Sequence, residues 1–487
     1  MYLGLDLGTS ELKALLLADD HRVVAVAHAA LTVQQPRPLW SEQRPEAWWD
    51  ALVSVMDELA AGHGDALRSV RAVGLSGQMH GAVLLGAQGE VLRPAILWND
   101  GRSAAACVAL ERAVPEQAQI TGNLAMPGFT APKLWWLREH EPEIFRRTAR
   151  VLLPKDYLRL RMTGEAATDC SDASGTLWLD VAARRWSPRL LAACGLEETH
   201  MPRLVEGSEV AGGLSPSFAA RWGLRAGTPV AGGGGDNAAS AVGMGVVAPG
   251  QGFVSLGTSG VVFLATDGFR PNPAQAVHAF CHALPGAWHQ MAVMLSAASA
   301  VTWATRLLGF ANEAALLEAA ASVHPDAADR APLFLPYLSG ERSPHNDPQA
   351  KGVLFGLTHG HDRAAVAHAV AEGVGFGLRD GWRTLSTDVP VEALSVVGGG
   401  GRSHWWVQQL STTLGVPLEL LEGAATGGAL GAARLGWLAD GGSVAEVCLR
   451  PTVQRRFEPA RRSEAAEARY HRFATLYRAL KGSFAGV

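Results

Sequence analysis

The sequence predicts an α/β protein of two domains, each a mixed β-sheet flanked by helices. Three observations support this fold class. At 487 residues the chain is too long for one compact core and suits two domains. An order of strand meander, helix, strand and helix occurs twice along it. The four residues LGTS occur once in each half, as Leu7–Ser10 and Leu256–Ser259, each between two strand-like runs.

The first half begins with short strands joined by tight turns, which we predict over Tyr2–Asp6, Glu11–Leu17 and Val23–His28. A helix follows in the segment RPEAWWDALVSVMDELA, because Pro45 suits a first helical turn and apolar residues then recur at helical spacing. The chain returns to the sheet with a strand predicted over Val70–Leu75.

The second half repeats this plan more loosely. Gly252–Leu256 and Val261–Ala265 form a predicted hairpin around the second LGTS. The next predicted elements are strands near Val277–Leu284 and Trp288–Leu295 and helices over Ser296–Leu308 and Arg363–Leu385. The segments ALSVVGGGGRSHWWVQQL and TGGALGAARLGWL each predict a helix preceded by glycines, and Ser463 suits the N-cap of the last helix.

The composition indicates small-molecule partners. With 18% charged residues and a formal net charge of −4, the chain offers no basic surface for a nucleic acid or an anionic membrane. No stretch reaches the ~18 apolar residues of a membrane span. The five cysteines have no CxxC spacing, and the N-terminus leads straight into a strand without a basic and apolar leader, so we expect a cytoplasmic protein. A homodimer is left open.

The two LGTS segments predict phosphate binding. A turn of glycine and small hydroxyl residues between buried strands exposes backbone N–H groups and hydroxyls, which suit phosphate oxygens. One such turn alone is more simply a hairpin. Its repetition in an equivalent context favours a clamp for a polyphosphate. The other nucleotide signatures, Walker A and a strict G-x-G-x-x-G, do not occur.

Two aspartates stand beside glycine-rich segments. Asp6 ends the first strand directly before the first loop, and Asp236 follows four glycines in AGGGGDNAAS. Phosphoryl transfer uses such a pair, because one carboxylate holds Mg²⁺, usually through water, and the other accepts a proton from the attacking hydroxyl. An isolated Asp after glycines is more simply a turn or helix cap. Beside two phosphate loops, we expect Asp236 to be catalytic.

Seven segments together resemble one family. They are GLDLGTS, GLSGQMHGAVLL, LWNDGR, GGGGDNAA, SLGTSG, YLSGERSPHNDPQAKGVLFGLT and VVGGGGRSHWWVQQL, in order over essentially the whole chain. The chain is similar to the FGGY carbohydrate kinases, within the ATPases that share the fold of actin and hexokinase. The resemblance implies two ribonuclease-H-like domains around a deep cleft. It implies a sugar-binding domain over residues 1–240 and an ATP-binding domain over residues 241–487.

The resemblance also implies an activity. The Gln-Met-His form of SGQMHG is similar to that of the members that act on D-xylulose. The implied reaction is ATP-dependent phosphorylation of D-xylulose to D-xylulose 5-phosphate, with MgATP held between the two LGTS loops. Another ketopentose or polyol, such as ribulose, glycerol or gluconate, stays open as the substrate. An actin-like ATPase that is not a kinase is a more distant alternative.

Residues at matching positions acquire roles from the resemblance. Asp236 matches the general base, and Asp6 lies at the Mg²⁺ and phosphate end, where it holds the metal through water. The implied sugar site consists of Gln78, Met79, His80, Asp236 and Asn237. The implied nucleotide-binding residues are Gly8, Thr9, Ser10, Gly257, Thr258, Ser259, Gly399, Gly400 and Gly401.

Four smaller features remain as hypotheses. We expect His80 to donate to a sugar hydroxyl or to fix its loop, not to carry the proton. Residues 98–102 in LWNDGRS either reach the sugar or tie the pocket loop. The segment HGHD has metal-like spacing, yet Asp362 suits the N-cap of the next helix, so we expect no metal there. Glu341 and Arg342 either touch a ligand or brace the cleft.

Overall fold

The computed structural model describes residues 1–422 and 427–485. Its contacts divide the chain into two compact units. The first unit comprises Met1–Val247, Ala279–His289 and Thr426–Arg450. The second comprises Ala248–His278, Gln290–Ala425 and Pro451–Val487. Both are discontinuous in sequence, and the predicted boundary between residues 240 and 241 stays a prediction. Among the described residues, none of the helices has the length and apolar character to cross a membrane.

The strands of the described ranges are short and alternate with helices. In chain order they are β1 (Tyr2–Leu7), β2 (Glu11–Leu17), β3 (Val23–Ala30), β4 (Glu42–Gln43), β5 (Ala72–Gly77), β6 (Val83–Leu85), β7 (Ala95–Ile96), β8 (Arg150–Leu152), β9 (Ala167–Asp169), β10 (Leu179–Asp180), β11 (Arg185–Trp186), β12 (Arg203–Val205), β13 (Val210–Gly213), β14 (Pro229–Ala231), β15 (Gly234–Gly235), β16 (Gly252–Leu256), β17 (Gly260–Thr266), β18 (His278–Cys281), β19 (Trp288–Met294), β20 (Leu333–Pro336), β21 (Gly352–Phe355), β22 (Leu394–Val397), β23 (Leu418–Leu421) and β24 (Val453–Phe457).

The helices vary from single turns to a long helix after β4. In chain order they are α1 (Pro45–Arg68), α2 (Ala104–Ala113), α3 (Gln117–Thr121), α4 (Thr130–His140), α5 (Pro142–Arg147), α6 (Pro154–Thr163), α7 (Cys170–Ser174), α8 (Pro188–Ala193), α9 (Pro216–Trp222), α10 (Asp236–Gly243), α11 (Ala298–Leu307), α12 (Glu313–Ala321), α13 (Pro325–Ala328), α14 (Arg363–Trp382), α15 (His404–Leu414), α16 (Gly427–Ala439), α17 (Val444–Val447) and α18 (Glu464–Leu480).

The main sheet of the first unit is mixed. Its strand order is β13-β14-β5-β1-β2-β3, and β15 also pairs with β5. Strands β1, β2 and β3 are antiparallel neighbours, whereas β5 runs parallel to β1, β14 and β15. In register, Leu7 lies opposite Gly77 and Gly77 lies opposite Gly235. The residues that follow these three positions therefore meet at one edge of the sheet, where α/β proteins commonly bind ligands.

Glycines allow helix α16 to lie close to this sheet. A Cβ atom on Gly4 of β1 would overlap Ala429 of the helix, and one on Gly74 of β5 would overlap Ala432. On another face of α16, a Cβ on Gly431 would overlap the backbone of α10. Some of the 55 glycines of the chain thus allow close packing between helices and strands. The predicted glycine-opened helix is α16, although Thr426, its predicted first residue, lies outside the described residues.

The second unit repeats the pattern. Neighbouring strands of its sheet follow the order β19-β17-β16-β22-β23-β24. Strands β16 and β17 are antiparallel, as β1 and β2 are, and β22 runs parallel to β16 and β23. Ser255 lies opposite Val397, so the second LGTS and the glycines after β22 come to the same sheet edge. The predicted fold class, two α/β domains with mixed sheets flanked by helices, is confirmed.

Several predicted boundaries differ from the observed ones. The strand predicted over Val70–Leu75 is Ala72–Gly77, because it pairs residue for residue with β1. The strand predicted near Val277–Leu284 is only His278–Cys281. Helix α1 begins at Pro45 as predicted and continues to Arg68.

Candidate active site

The two predicted aspartates come from the ends of strands β1 and β15, which both pair with β5 in the first sheet. Asp6 lies opposite Ser76 in the parallel pairing of β1 and β5, and the Ser76 hydroxyl donates to Asp6 Oδ1 at 2.8 Å. Asp236 is the first residue of α10, directly after β15. Its Oδ1 accepts from the backbone N–H of Asn237 at 2.7 Å and from the Asn237 Nδ2 at 3.0 Å.

The charge of Asp6 acts on the carboxyl of Asp236. Burial raises the pKa of Asp236, and the charge of Asp6 raises it further, to about 6, against the hydrogen bonds from Asn237 that lower it. Burial also raises the pKa of Asp6, although the Ser76 hydroxyl and Lys13 oppose that shift. A carboxyl with a pKa near neutrality can accept a proton and release it again, as a general base must.

The first LGTS loop is held by side chains from three other segments. The Thr9 hydroxyl donates to Gln78 Oε1 at 3.0 Å and accepts from the indole N–H of Trp98, also at 3.0 Å. Gln43 Nε2 donates to the Thr9 carbonyl at 2.8 Å. Gly8 closes the turn by donating its N–H to Glu11 O. Among the predicted sugar-site residues, Gln78 therefore has its amide occupied by the first LGTS loop.

Met79 and His80 lie beside the segment that carries Asp236. A Cβ atom on Gly235 would lie 2.8 Å from the Met79 sulfur, and one on Gly175 would lie 3.0 Å from its methyl carbon. Met79 is buried and His80 is half-buried. The structure thus brings Gln78, Met79, His80, Asp236 and Asn237 to the same edge of the first sheet.

The ring of His80 has a defined orientation. Its backbone has a left-handed φ of 70°, and its Nδ1 lies 2.7 Å from the Gly175 carbonyl oxygen. Because a carbonyl only accepts, Nδ1 carries the proton, and in the neutral ring Nε2 is an acceptor. The edge of the ring packs on Phe129 with centroids 4.6 Å apart.

A buried lysine supports this turn. Lys133 of α4 has no exposed surface, and its ammonium donates to the His80 carbonyl at 2.7 Å. The Thr130 hydroxyl donates to the same oxygen at 3.1 Å. Burial holds the pKa of Lys133 well below its usual value, while Asp100 opposes that shift.

The second LGTS loop belongs to the second unit and is held by the start of helix α11. The N–H groups of Ala297 and Ala298 donate to the carbonyls of Thr258 and Gly257 at 3.0 and 2.9 Å. The Ser299 hydroxyl also donates to Thr258 O, at 2.8 Å. Thr258 is exposed at the edge of a cavity of about 640 Å³. Gly257, Thr258 and Ser259 form the short turn between β16 and β17.

The glycines after β22, among them the predicted nucleotide-binding residues Gly399, Gly400 and Gly401, adjoin this loop. Gly398 has a φ of 90°, and a Cβ there would lie 2.7 Å from Leu256 O. Gly399 and Gly400 line a cavity of about 650 Å³ whose other walls come from α11, α12 and the start of α15. Gly401 faces Val396 and Leu420 instead and does not line this cavity.

The segment LWNDGRS mainly braces loops of the first unit. Asp100 is buried and accepts from the Ser41 N–H at 2.6 Å and from Arg102 Nη2 at 2.7 Å. The Arg102 guanidinium lies 3.5 Å from the ring centroid of Trp40. Trp98 is 40% exposed and reaches Thr9 of the first LGTS loop. Of the two alternatives for this segment, these contacts favour bracing for Asp100 and Arg102.

Glu341 and Asp362 have contacts within the second unit. Glu341 is buried, and its Oε1 accepts the N–H groups of Leu295 and Arg342 at 2.9 and 2.8 Å. Burial raises the pKa of Glu341 to about 8. Asp362 caps α14 as predicted, by accepting from the Ala365 N–H at 2.9 Å.

Sequence reasoning missed several residues that hold the site. Ser76 and Gln43 act through long-range contacts that no local pattern reveals. Lys133 did leave a signal, because it lies on the buried stripe of α4 with Thr130 and Leu137, where an unpaired charge is rare. A lysine on the buried stripe of a helix therefore indicates a polar partner elsewhere in the fold.

The comparisons with known proteins agree with this geometry. The N-terminal domain description of the FGGY family of carbohydrate kinases matches residues 1–243, and the C-terminal domain description matches residues 252–439. The chain therefore belongs to the FGGY family of carbohydrate kinases, as the sequence motifs predicted. It is a sugar kinase, and this class of enzyme uses ATP as the phosphoryl donor.

Individual relatives are similar over nearly the whole chain. The xylulose kinase of Escherichia coli (strain K12) is 52% identical over 484 residues, which cover 99% of each chain. A crystal structure of a xyloylose kinase from Brucella ovis is 50% identical and superimposes with a TM-score of 0.94, covering 99% of each chain. The gluconate kinase of Lactobacillus acidophilus is 24% identical with a TM-score of 0.90, over 99% of this chain and 98% of that one. This last likeness shows a shared fold and leaves the sugar undecided.

Proposed function

We propose that the enzyme transfers the γ-phosphoryl group of ATP to the O5 hydroxyl of D-xylulose, giving D-xylulose 5-phosphate. Support comes from the xylulose kinases that share about half of its residues over almost their full length. The Gln78-Met79-His80 sequence supports the same sugar. Membership of a carbohydrate kinase family favours transfer to a sugar over an actin-like ATPase that is not a kinase.

The observation that carries the proposal is the position and acidity of Asp236. Its carboxyl, directly after Gly235 at the sheet edge, has a pKa of about 6 because of burial and the charge of Asp6. In the proposed reaction, Asp236 accepts the proton of the O5 hydroxyl as that oxygen attacks the γ-phosphorus. Hydroxyl deprotonation and in-line attack are the two demands of phosphoryl transfer to an alcohol.

The sugar contacts follow from the same edge. The fixed orientation of the ring, with Nδ1–H directed to Gly175 O, supports the expected role of His80, which is to contact a sugar hydroxyl or to fix its loop. Met79 supplies an apolar surface, and Asn237 keeps the carboxylate of Asp236 oriented.

The phosphates of ATP are assigned to the glycine loops. Gly8, Thr9 and Ser10 form the first site, and Gly257, Thr258 and Ser259 form the second. The adenosine is assigned to the cavity that Gly399 and Gly400 line, where the backbone is accessible to a flat ring. Gly401, which faces the protein interior, has no ligand contact in this proposal.

Asp6 is the proposed carboxylate for Mg²⁺. The donors fit this ion, because Mg²⁺ takes oxygen ligands and is commonly held by one or two carboxylates, water and substrate phosphates. When bound, Mg²⁺ neutralises charge on the phosphates. The Ser76 hydroxyl orients the Asp6 carboxylate by donating a hydrogen bond to it.

The test is ADP production with MgATP and a panel of D-xylulose, D-ribulose, L-ribulose, L-xylulose, glycerol and gluconate, against a blank without sugar. Strong stimulation by D-xylulose alone supports the proposal. A different preferred sugar keeps the kinase and rejects the sugar assignment. ATP turnover that no sugar changes rejects the function.

Two further properties accompany the proposal. All five cysteines lie in the described part of the chain, and each is a buried free thiol. We therefore place the enzyme in a reducing, cytoplasmic compartment. The homodimer left open by the sequence is tested by light scattering, which reports either the chain mass of 51.3 kDa or twice that value.

A further inference from the structure

A buried group of charged side chains lies next to the segment that carries Asp236. Lys155 pairs with Asp156 and Asp169 at 2.8 Å and with Asp172 at 2.9 Å, and none of these side chains is exposed. Arg159 pairs with Asp156 at 3.0 Å. Burial of so many charges is expensive, and apolar side chains of similar volume often serve stability as well. The location of this ion cluster therefore points to a role other than stability.

The ion cluster and the adjoining Ser171 anchor the two ends of the glycine segment before Asp236. At the first end, the Arg159 guanidinium donates to the Gly232 carbonyl. At the second end, the Gly235 N–H donates to the Ser171 hydroxyl oxygen at 3.1 Å. Asp236 follows Gly235 directly, so this second bond fixes the backbone from which the carboxylate extends.

The Ser171 hydroxyl is itself oriented by the cluster. It donates its proton to Asp169 Oδ2, which also accepts the Ser171 N–H at 2.9 Å as the cap of α7. Because the proton points to Asp169, a lone pair is left to face the Gly235 N–H. The other oxygen of Asp169 pairs with Lys155, so a continuous chain of polar contacts leads from Lys155 to the residue before Asp236.

The glycine segment needs such anchors. Glycine restricts the backbone least of all residues, and Gly233 already has a φ of 78°. A general base must reach its proton within hydrogen-bond distance, and a misplacement of about 1 Å can cost about 100-fold in rate. The same cluster also packs against the end of β5, because a Cβ on Gly77, just before Gln78, would lie 3.0 Å from Lys155 Cβ.

We propose that Ser171, oriented by Asp169 and Lys155, is a positioning residue for the carboxylate of Asp236. This inference rests on the proposed function, in which Asp236 is the general base. Ser171 touches neither sugar nor nucleotide in this role. It acts through one hydrogen bond to the Gly235 N–H.

Helix α7 offers a matched control. Ser174 is also buried, and its hydroxyl likewise accepts a backbone N–H from a distant segment, that of Cys281 at 3.1 Å. Ser171→Ala and Ser174→Ala therefore remove the same atom, from the same helix, at the same depth. We expect both variants to lose similar thermal stability. We expect kcat to fall about tenfold or more in Ser171→Ala only, with the KM for ATP unchanged.

A double variant separates positioning from general damage. If Ser171 acts through Asp236, then Ser171→Ala lowers single-turnover transfer in the wild-type background but has no further effect in Asp236→Asn. A merely structural role gives the same loss of rate in both backgrounds. Equal kcat in Ser171→Ala and Ser174→Ala overturns the inference, even if Asp236→Asn is inactive. Near-normal turnover by Asp236→Asn instead overturns the proposed base, and the inference with it.

Discussion

Asp6 and Asp236 extend from parallel strands of one sheet, and the charge of Asp6 adds to burial in raising the pKa of Asp236 to about 6. The proximity follows from strand register, since Asp6 lies opposite Ser76 and Ser76 lies opposite Gly234. The like charge of Asp6 makes Asp236 a weaker acid. The acidity of the proposed base is therefore linked to the proposed metal ligand.

The pH dependence of the reaction follows from this link. We expect kcat/KM for the sugar to fall on the acid side with an apparent pKa of about 6, because a protonated Asp236 cannot accept a proton. Asp6→Asn removes one of the two causes of the raised pKa. Its acid limb therefore moves to lower pH, although burial keeps it above the ordinary value of 3.8. Rate profiles of wild type and Asp6→Asn from about pH 4.5 to about pH 8 measure the acid limb of each enzyme.

A nearby carboxylate provides the control for this prediction. Glu11 contributes to the pKa of Asp6 but not to that of Asp236, so Glu11→Gln leaves the acid limb in place. Carbon-13 NMR of the Asp236 carboxyl reports the same shift without any turnover. An unchanged limb in Asp6→Asn would show that the two carboxyls are independent.

Replacement of the proposed base has opposite effects on activity and stability. We expect Asp236→Asn to lower kcat by about 100-fold or more, while ATP binding measured by titration is largely retained. Folding raises the pKa of Asp236, so the folded state binds the proton more tightly, and the stability from this group is lost as pH rises from about 4 to about 6. The Tm of Asp236→Asn relative to wild type therefore rises between acid and alkaline pH, by about 2 °C or more.

The stability comparison needs an exposed aspartate as a reference. Asp20 is a surface residue, so Asp20→Asn changes the same functional group without a buried environment. Measured at the same pH values, it gives the effect on Tm of the amide substitution alone. If Asp236→Asn behaves like Asp20→Asn, the carboxyl of Asp236 is not held in an unfavourable environment.

Local sequence patterns predicted the parts of the site that stand next to glycines. We predicted Asp6 and Asp236 as site residues because each adjoins glycines, which allow close approach of the backbone. Strands Glu11–Leu17 and Gly252–Leu256 were found with the observed bounds, because buried alternating runs end at turn residues. These features depend on neighbours within a few residues.

Contacts between distant segments could not be predicted in the same way. Ser76 reaches Asp6 only because β5 pairs with β1 from Ala72 to Gly77, two residues later than its apolar run suggested. Ser171 reaches Gly235 across 64 residues of sequence. A hydroxyl in such a position looks like any buried serine until the fold is known.

Gly399 tests the proposed adenosine site. A Cβ atom on Gly399 meets nothing within 4 Å, so Gly399→Ala folds normally. The added methyl group projects where the nucleotide is proposed to lie against the backbone. We therefore expect the KM for ATP to rise about fivefold or more while the KM for the sugar is unchanged. Initial rates with each substrate varied in turn measure the two constants.

A second glycine of the same unit controls for the general effect of the substitution. Gly268 also has open space around a new Cβ, and it lies outside the cavity that contains Gly399. Gly268→Ala should keep both KM values. A Gly399→Ala enzyme with the wild-type KM for ATP would reject the adenosine assignment.

Lys133 supports the turn of His80 in the proposed sugar site, and the burial of its ammonium costs stability. Burial lowers the pKa of its ammonium, so the unfolded chain binds more protons and wild-type stability rises with pH toward the ordinary pKa of 10.5. Lys133→Met keeps the volume and removes the charge, so the slope of stability with pH becomes flatter and stability at neutral pH is equal or higher.

The same substitution should weaken sugar binding. His80 O loses the donor at 2.7 Å and keeps only the Thr130 hydroxyl at 3.1 Å, so the turn that carries the His80 ring is held less firmly. We expect the KM for the sugar to rise about threefold or more, with the KM for ATP unchanged. Thr130→Val, which removes the other donor without removing a charge, should raise the KM for the sugar without flattening the pH dependence of stability. A stable Lys133→Met enzyme with normal sugar affinity would show that the ammonium is not needed to hold the turn, and that the cost of its burial has another cause.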